Sequence, residues 1–70
     1  MNDPLTWEDS YAIARALKER FPQVDFAAVS LNMIYRWTIA LPAFIDEPAL
    51  AHDAILSAIY QEWFEEANSI

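Results

Sequence analysis

Residues 46–67 read DEPALAHDAILSAIYQEWFEEA, the longest uninterrupted helical pattern in the chain. The large apolar side chains of this stretch recur at steps of three and four residues, which places them on one face of an α-helix. They are Ile55, Leu56, Ile59, Tyr60 and Trp63. The acidic pair Asp46 and Glu47 precedes Pro48, an order that is typical of a helix start. The sequence therefore predicts one long helix from Asp46 to Ala67 that buries its apolar face against the rest of the chain.

An earlier helix is predicted from about Thr6 to Phe21, before Pro22 ends it. Thr6 is the expected cap, and Asp9 is expected to reach back to it as in a capping box. The predicted buried side consists of Ile13, Ala16, Leu17 and Phe21. Residues 1–5 are expected to be a flexible lead-in.

A further helix is predicted from about residue 31 or 32 to Leu41, with Ser30 or Asn32 as its cap and Pro42 as its end. The short link after it is expected to insert Phe44 into the core. In the connector before it, Asp25 is expected to cap a single helical turn, and at most a very short extended piece is expected near Val29.

Residues 1–70 are therefore predicted to form one all-α domain of three helices around a compact core, with 68–70 as a tail. The three tryptophans lie on apolar stripes, so core packing is their expected role. His52 is the only histidine, and nothing in the sequence places a serine and a carboxylate beside it, so no enzyme is predicted.

Charge is the clearest global property: eleven acidic residues stand against four basic ones, a net charge of −7. Nucleic-acid binding depends on Lys and Arg at phosphates, so the composition argues against it. The absence of Cys and Gly excludes thiolate metal sites and glycine-rich phosphate loops. No membrane-spanning run and no apolar leader are found, which predicts a soluble, cytoplasmic protein.

The carboxylates are the candidate functional residues, and they fall into three clusters. These are Glu62, Glu65 and Glu66; Glu8 and Asp9; and Asp46, Glu47 and Asp53. All but Asp53 are predicted to contribute to an acidic surface that binds a basic partner. Glu62, Glu65, Glu66 and Asp9 are also predicted as oxygen ligands for a hard cation. Two structural alternatives stay open: the C-terminal glutamates neutralise the basic end of the first helix (Arg15, Lys18 and Arg20), or they form a solvated face without a role.

The order of residues resembles that of a known family, over Leu5 to Ala67. The matching segments are L-x-W-x-D-S-x-x-I-x-x-A-L at residues 5–17, P-x-x-D-x-x-x-V at 22–29, W-x-x-x-L-x-x-F-x-D-E-P at 37–48, and I-L-x-A-I-x-x-x-W-x-x-E-A at 55–67. They resemble the IscX (YfhJ) family, small acidic proteins that accompany bacterial iron–sulfur cluster assembly genes. Two departures are the uncharged Pro42, Ala43 and Ile45 before the Asp-Glu-Pro step, and Tyr35 where a His can stand.

The resemblance implies a helical, winged-helix-like fold that has lost DNA-binding electrostatics. It implies a non-enzymatic regulator that binds the cysteine desulfurase of the assembly machinery through its acidic surface and binds Fe²⁺ weakly. We also expect a monomer with no obligatory cofactor. The carried-over acidic positions are Asp9, Asp25, Asp46, Glu47 and Glu66, with Glu65 beside them. The alternatives are a small winged-helix nucleic-acid module and a stand-alone metal-binding protein.

Overall fold

The computed structural model describes residues 4–68, which form three α-helices joined by loops that contain two short 3₁₀ turns. The helices are α1 (Ser10–Arg20), α2 (Leu31–Ile39) and α3 (Asp53–Ala67). Within this range there is no strand, and the only β-type pairing is an isolated bridge. The all-α prediction is therefore confirmed, whereas the winged-helix likeness stays a prediction.

One hydrophobic core unites the three helices, and α3 packs most extensively against α1. The predicted apolar face of α3 is confirmed. Leu56, Ile59 and Trp63 are buried, and Ile55 and Tyr60 are half-buried. The aromatic rings of Phe21, Phe26 and Trp37 surround Trp63, with centroids 5.1–6.4 Å from its own. Burying aromatic surface of this size contributes much of the stability of so small a domain.

The start of α3 differs from the prediction of a single helix from Asp46. Pro48 begins a separate 3₁₀ turn, Pro48–Leu50, and the backbone is extended at Ala51 and His52 before α3 begins at Asp53. The Asp-Glu-Pro step therefore starts a turn of its own. His52 occupies the N-cap position of α3 without a side-chain capping bond, and it is exposed.

The start of α1 is also later than predicted, at Ser10 with Asp9 as N-cap. Asp9 does reach back to Thr6, because its Oδ2 accepts hydrogen bonds from the Thr6 backbone N–H at 2.9 Å and from the Thr6 hydroxyl at 3.1 Å. The Asp9 N–H, however, donates to the Thr6 carbonyl oxygen at 3.0 Å, not to its side chain. The predicted contact thus closes a turn ahead of the helix.

The prediction of a flexible lead-in is wrong at Leu5. Only 8 % of the surface of Leu5 is exposed, and its backbone pairs with that of Phe44 in the isolated bridge. The Leu5 N–H donates to the Ala43 carbonyl at 2.8 Å, and the Ile45 N–H donates to the Leu5 carbonyl at 3.0 Å. An extended piece therefore lies here as well as at Val29 and Ser30, whose backbone is extended as expected. Residues 1–3 of the lead-in and 69–70 of the tail lie outside the described residues, while Asn68 is the C-cap of α3.

Two predicted caps are confirmed. The Ser30 hydroxyl accepts from the Met33 N–H at 3.1 Å at the start of α2. Asp25 caps the 3₁₀ turn Phe26–Ala28, where its Oδ1 accepts from the Ala27 N–H at 3.1 Å. Helix α2 ends two residues before the predicted Leu41.

A buried hydroxyl in α2 gives a prediction about stability. Thr38 is fully buried, and its Oγ1 has no hydrogen-bond partner among the described residues. A buried polar group without a partner carries a desolvation cost, so Thr38→Val, which keeps the shape, should raise the free energy of unfolding by about 1 kcal/mol. Urea denaturation tests this, with Thr38→Ser as the control that keeps the hydroxyl and loses the methyl. A less stable Thr38→Val protein would mean that the hydroxyl bonds to the backbone of its own helix.

Candidate functional site

Three aspartates, Asp9, Asp25 and Asp46, serve the backbone. The carboxylates of Asp9 and Asp25 each hold amide hydrogens in the turns described above. Asp46 does the same for two residues: its Oδ2 accepts from the Trp7 N–H at 3.1 Å, and its Oδ1 accepts from the Glu47 N–H at 2.8 Å. Hydrogen bonds from amides to a carboxylate are among the stronger ones in proteins. These three anions therefore stabilise local structure in the first instance.

Trp7 joins two of the acidic clusters into one corner of the fold. Its indole is buried, with 2 % of its surface exposed, and its Nε1–H donates to the Glu47 carbonyl oxygen at 2.7 Å. Its ring lies against Phe44 edge-on, with centroids 4.7 Å apart, and is parallel to Tyr35 at 6.1 Å. The pair Glu8–Asp9, which follows Trp7, is thereby fixed beside the pair Asp46–Glu47. We call these four residues the acidic corner.

Glu66, at the end of α3, is tied to α1. Its Oε1 lies 3.7 Å from Lys18 Nζ, which also donates to the Glu66 carbonyl oxygen at 3.2 Å. Its Oε2 accepts from the Tyr11 hydroxyl at 3.2 Å, and the Arg15 guanidinium lies 6.0 Å from the centre of the Tyr11 ring. Neutralisation of the basic side of α1 is thus observed for Glu66. An ion pair this exposed contributes little stability.

Four glutamates of the three acidic clusters have free carboxylates. Among the residues that the structure describes, the side chains of Glu8, Glu47, Glu62 and Glu65 accept no hydrogen bond and have no cation within 4 Å. Glu8, Glu47 and Glu65 are exposed, and Glu62 is half-buried. Glu8 and Glu47 belong to the acidic corner, whereas Glu62 and Glu65 lie on the last turns of α3. These are the cluster glutamates available to a partner.

The predicted metal ligands are not gathered into a site. Across residues 4–68 no three Asp, Glu or His side chains come together in a group that could hold a metal ion. Of the predicted set, Asp9 is engaged with Thr6 and Glu66 with Lys18 and Tyr11, which leaves Glu62 and Glu65. Weak Fe²⁺ binding stays a prediction that the geometry of this chain does not strengthen.

Three residues that shape these surfaces, Trp7, Tyr11 and Phe64, cannot be recognised as such from the sequence pattern alone. Core packing is the expected role of Trp7, and nothing in the local sequence indicates that its indole N–H binds the carbonyl of residue 47. Tyr11 is exposed on α1, outside the buried side that the spacing predicts. Phe64 is 45 % exposed on α3. The sequence does indicate an exposed Phe64, because this residue lies one position away from the buried stripe. A large apolar residue on the polar side of a helix is uncommon.

The comparisons with known proteins identify the family. The pattern of the family described as iron–sulphur cluster assembly matches residues 5–68 of the 70. The chain belongs to this family. It is the IscX family that the order of residues resembles, and membership places the chain among proteins of iron–sulfur cluster assembly. Among the relatives of this IscX-family chain is an uncharacterized protein of Pseudomonas aeruginosa, 39% identical over 64 residues, which are 91% of this chain and 97% of the relative.

No helix found in the described part of this IscX-family protein has the length and apolar character needed to cross a membrane.

Proposed function

We propose that this protein is a non-enzymatic, cytoplasmic adaptor of iron–sulfur cluster assembly that binds the cysteine desulfurase through its free glutamates. The observation that carries the proposal is the division of the carboxylates described above: Asp9, Asp25 and Asp46 serve the fold, whereas four glutamates of the acidic clusters have no partner among the described residues. Side chains that stabilise nothing within the domain are available to another molecule.

Electrostatics supports a basic partner. The net charge of −7 produces a field that accelerates encounter with a positively charged surface. One of the four basic residues, Lys18, is already paired with Glu66, which leaves little positive charge for phosphates. Any Fe²⁺ would be bound weakly and secondarily, because the free glutamates are not gathered into a three-ligand set.

The proposal predicts salt-sensitive binding. Purified cysteine desulfurase should bind the wild-type protein with roughly micromolar affinity, about −8 kcal/mol, at low salt. The affinity should fall as added salt screens the exposed glutamates, whose interactions reach only about 10 Å at 0.1 M salt. Titration calorimetry at two salt concentrations measures both quantities. Absence of binding at low salt would contradict the proposal.

Charge reversals should locate the contact within the same assay. Glu47→Lys tests the acidic corner and Glu65→Lys tests the end of α3, whereas Glu19→Lys makes the same change of charge on the basic stretch of α1. At least one of the first two should weaken binding about tenfold, and the control should have a smaller effect. Glu66→Lys is less informative, since it would also place a cation against Lys18. Equal weakening by all three reversals would mean that only the net charge matters.

A further inference from the structure

An open apolar groove lies between the start of α2 and the outer face of α3. Val29 and Leu31 form one side, and Ser57, Tyr60, Phe64 and Glu65 form the other, around a volume of about 760 Å³. The α3 residues follow the helical spacing of three and four, so the groove runs along that helix. A contiguous apolar concavity of this kind is typical of a surface that receives a side chain of another protein.

Phe64 is held in place although nearly half of its surface is exposed. Its ring stands edge-on to Phe26 with centroids 5.4 Å apart, and it is stacked on Tyr60 at 6.4 Å. Tyr60 is itself fixed, because its hydroxyl donates to the Phe26 carbonyl oxygen at 3.1 Å and its ring meets Phe26 edge-on at 5.8 Å. An exposed aromatic side chain that is already ordered loses little conformational entropy when a partner covers it. This arrangement favours Phe64 as an anchor of binding.

The charge around the groove points to the chemistry of its occupant. Glu65 lies in the groove wall with a free carboxylate, Glu62 lies on the same last turns, and α3 has no basic residue in its last turn. The groove therefore combines the apolar side chains of Val29, Leu31, Tyr60 and Phe64 with negative charge at the end near Glu65.

We infer that this groove receives an apolar side chain of the cysteine desulfurase, presented on an exposed segment with a Lys or Arg close enough to reach Glu65. The inference rests on the proposed function and adds a second, apolar component to it. The glutamates provide attraction at a distance, and the Tyr60–Phe64 pair provides contact area that excludes water. The two components differ in how they respond to salt, which makes them separable.

The test is titration of wild-type protein and groove variants with purified cysteine desulfurase at low and at moderate salt. Phe64→Ala should weaken binding about tenfold at both salt concentrations, as expected for an apolar anchor. Ser57→Arg should weaken it by a similar factor, because Ser57 is exposed and an arginine there fills the groove and repels the partner's cation without altering the core. Glu65→Lys should weaken it strongly at low salt and less at moderate salt.

Two matched controls define the result. Ile45→Ala removes apolar surface from an exposed side chain outside the groove, and Gln23→Arg adds the same charge as Ser57→Arg at an exposed site elsewhere. Circular dichroism establishes that each variant is folded. Wild-type affinity in both Phe64→Ala and Ser57→Arg would overturn the groove inference and leave the adaptor proposal standing. If the wild-type protein binds the desulfurase at neither salt concentration, the groove inference and the adaptor proposal are both overturned.

Discussion

Trp7→Ala is expected to lower the free energy of unfolding by about 3–5 kcal/mol, the range observed when a buried large aromatic is truncated. Trp7 is almost fully buried against Tyr35 and Phe44, and its two N–H groups bind residues 46 and 47. A domain of this size has roughly 4–10 kcal/mol of stability in total, so the variant should be close to unfolding at room temperature. The loop 41–50 should lose its fixed position next to residues 5–9.

Urea denaturation followed by the fluorescence of Trp37 and Trp63 measures this loss. Trp7→Phe is the informative companion, because it keeps an aromatic ring against Phe44 and removes the donor to the Glu47 carbonyl. We expect it to cost about 1–3 kcal/mol, less than the alanine variant. A loss below 1 kcal/mol for Trp7→Ala would show that Trp7 is not a principal part of the core.

Asp46→Ala is expected to lower the free energy of unfolding by about 2–3 kcal/mol. The carboxylate accepts from the N–H groups of Trp7 and Glu47, and removing it leaves the half-buried Trp7 amide without its acceptor. Hydrogen bonds to charged groups contribute about 1.5–3 kcal/mol in such positions. Asp46→Asn keeps one acceptor oxygen and should fall between Asp46→Ala and the wild-type protein.

The neighbouring glutamate provides the control for Asp46. Glu47→Gln removes a charge of the same sign from a side chain without a described hydrogen bond, so the free energy of unfolding should change by less than about 0.5 kcal/mol. Both variants are compared by denaturation, and the exchange rate of the Trp7 amide hydrogen reports on the local bond. If Asp46→Ala is as stable as Glu47→Gln, Asp46 belongs with the free acidic residues and the division of roles proposed above fails.

The buried faces of the helices could be read from the sequence because each depends on local spacing. Ile13 and Leu17 on α1 and Ile34 on α2 lie in the core, as their periodicity indicates. The start of α3 could not be read in this way. A proline in the first turn is compatible with a 3₁₀ turn as well as with an α-helix, so Pro48 does not distinguish them. The hydrogen bonds from Trp7 to residues 46 and 47 are tertiary contacts that the local sequence does not reveal.

The residues of the candidate site could be predicted from the sequence, but their arrangement in space could not. Spacing located the clusters, and it allowed that Glu66 could meet the basic side of α1, which it does through Lys18. Spacing could not separate Asp46 from Glu47, because the two are adjacent acids and only the folded backbone brings an amide to one of them. The groove beside Phe64 likewise depends on Val29 and Leu31, whose approach to α3 is set by the tertiary fold.

The hydrogen bonds of Asp9, Asp25 and Asp46 have a consequence for how this domain can change in evolution. These positions need a short side chain with an oxygen acceptor, so the substitutions they tolerate are few, with Asn and Ser as the natural replacements. The free glutamates carry no such requirement. A lineage can therefore add or lose negative charge one glutamate at a time, following changes in its partner, while the architecture is inherited unchanged.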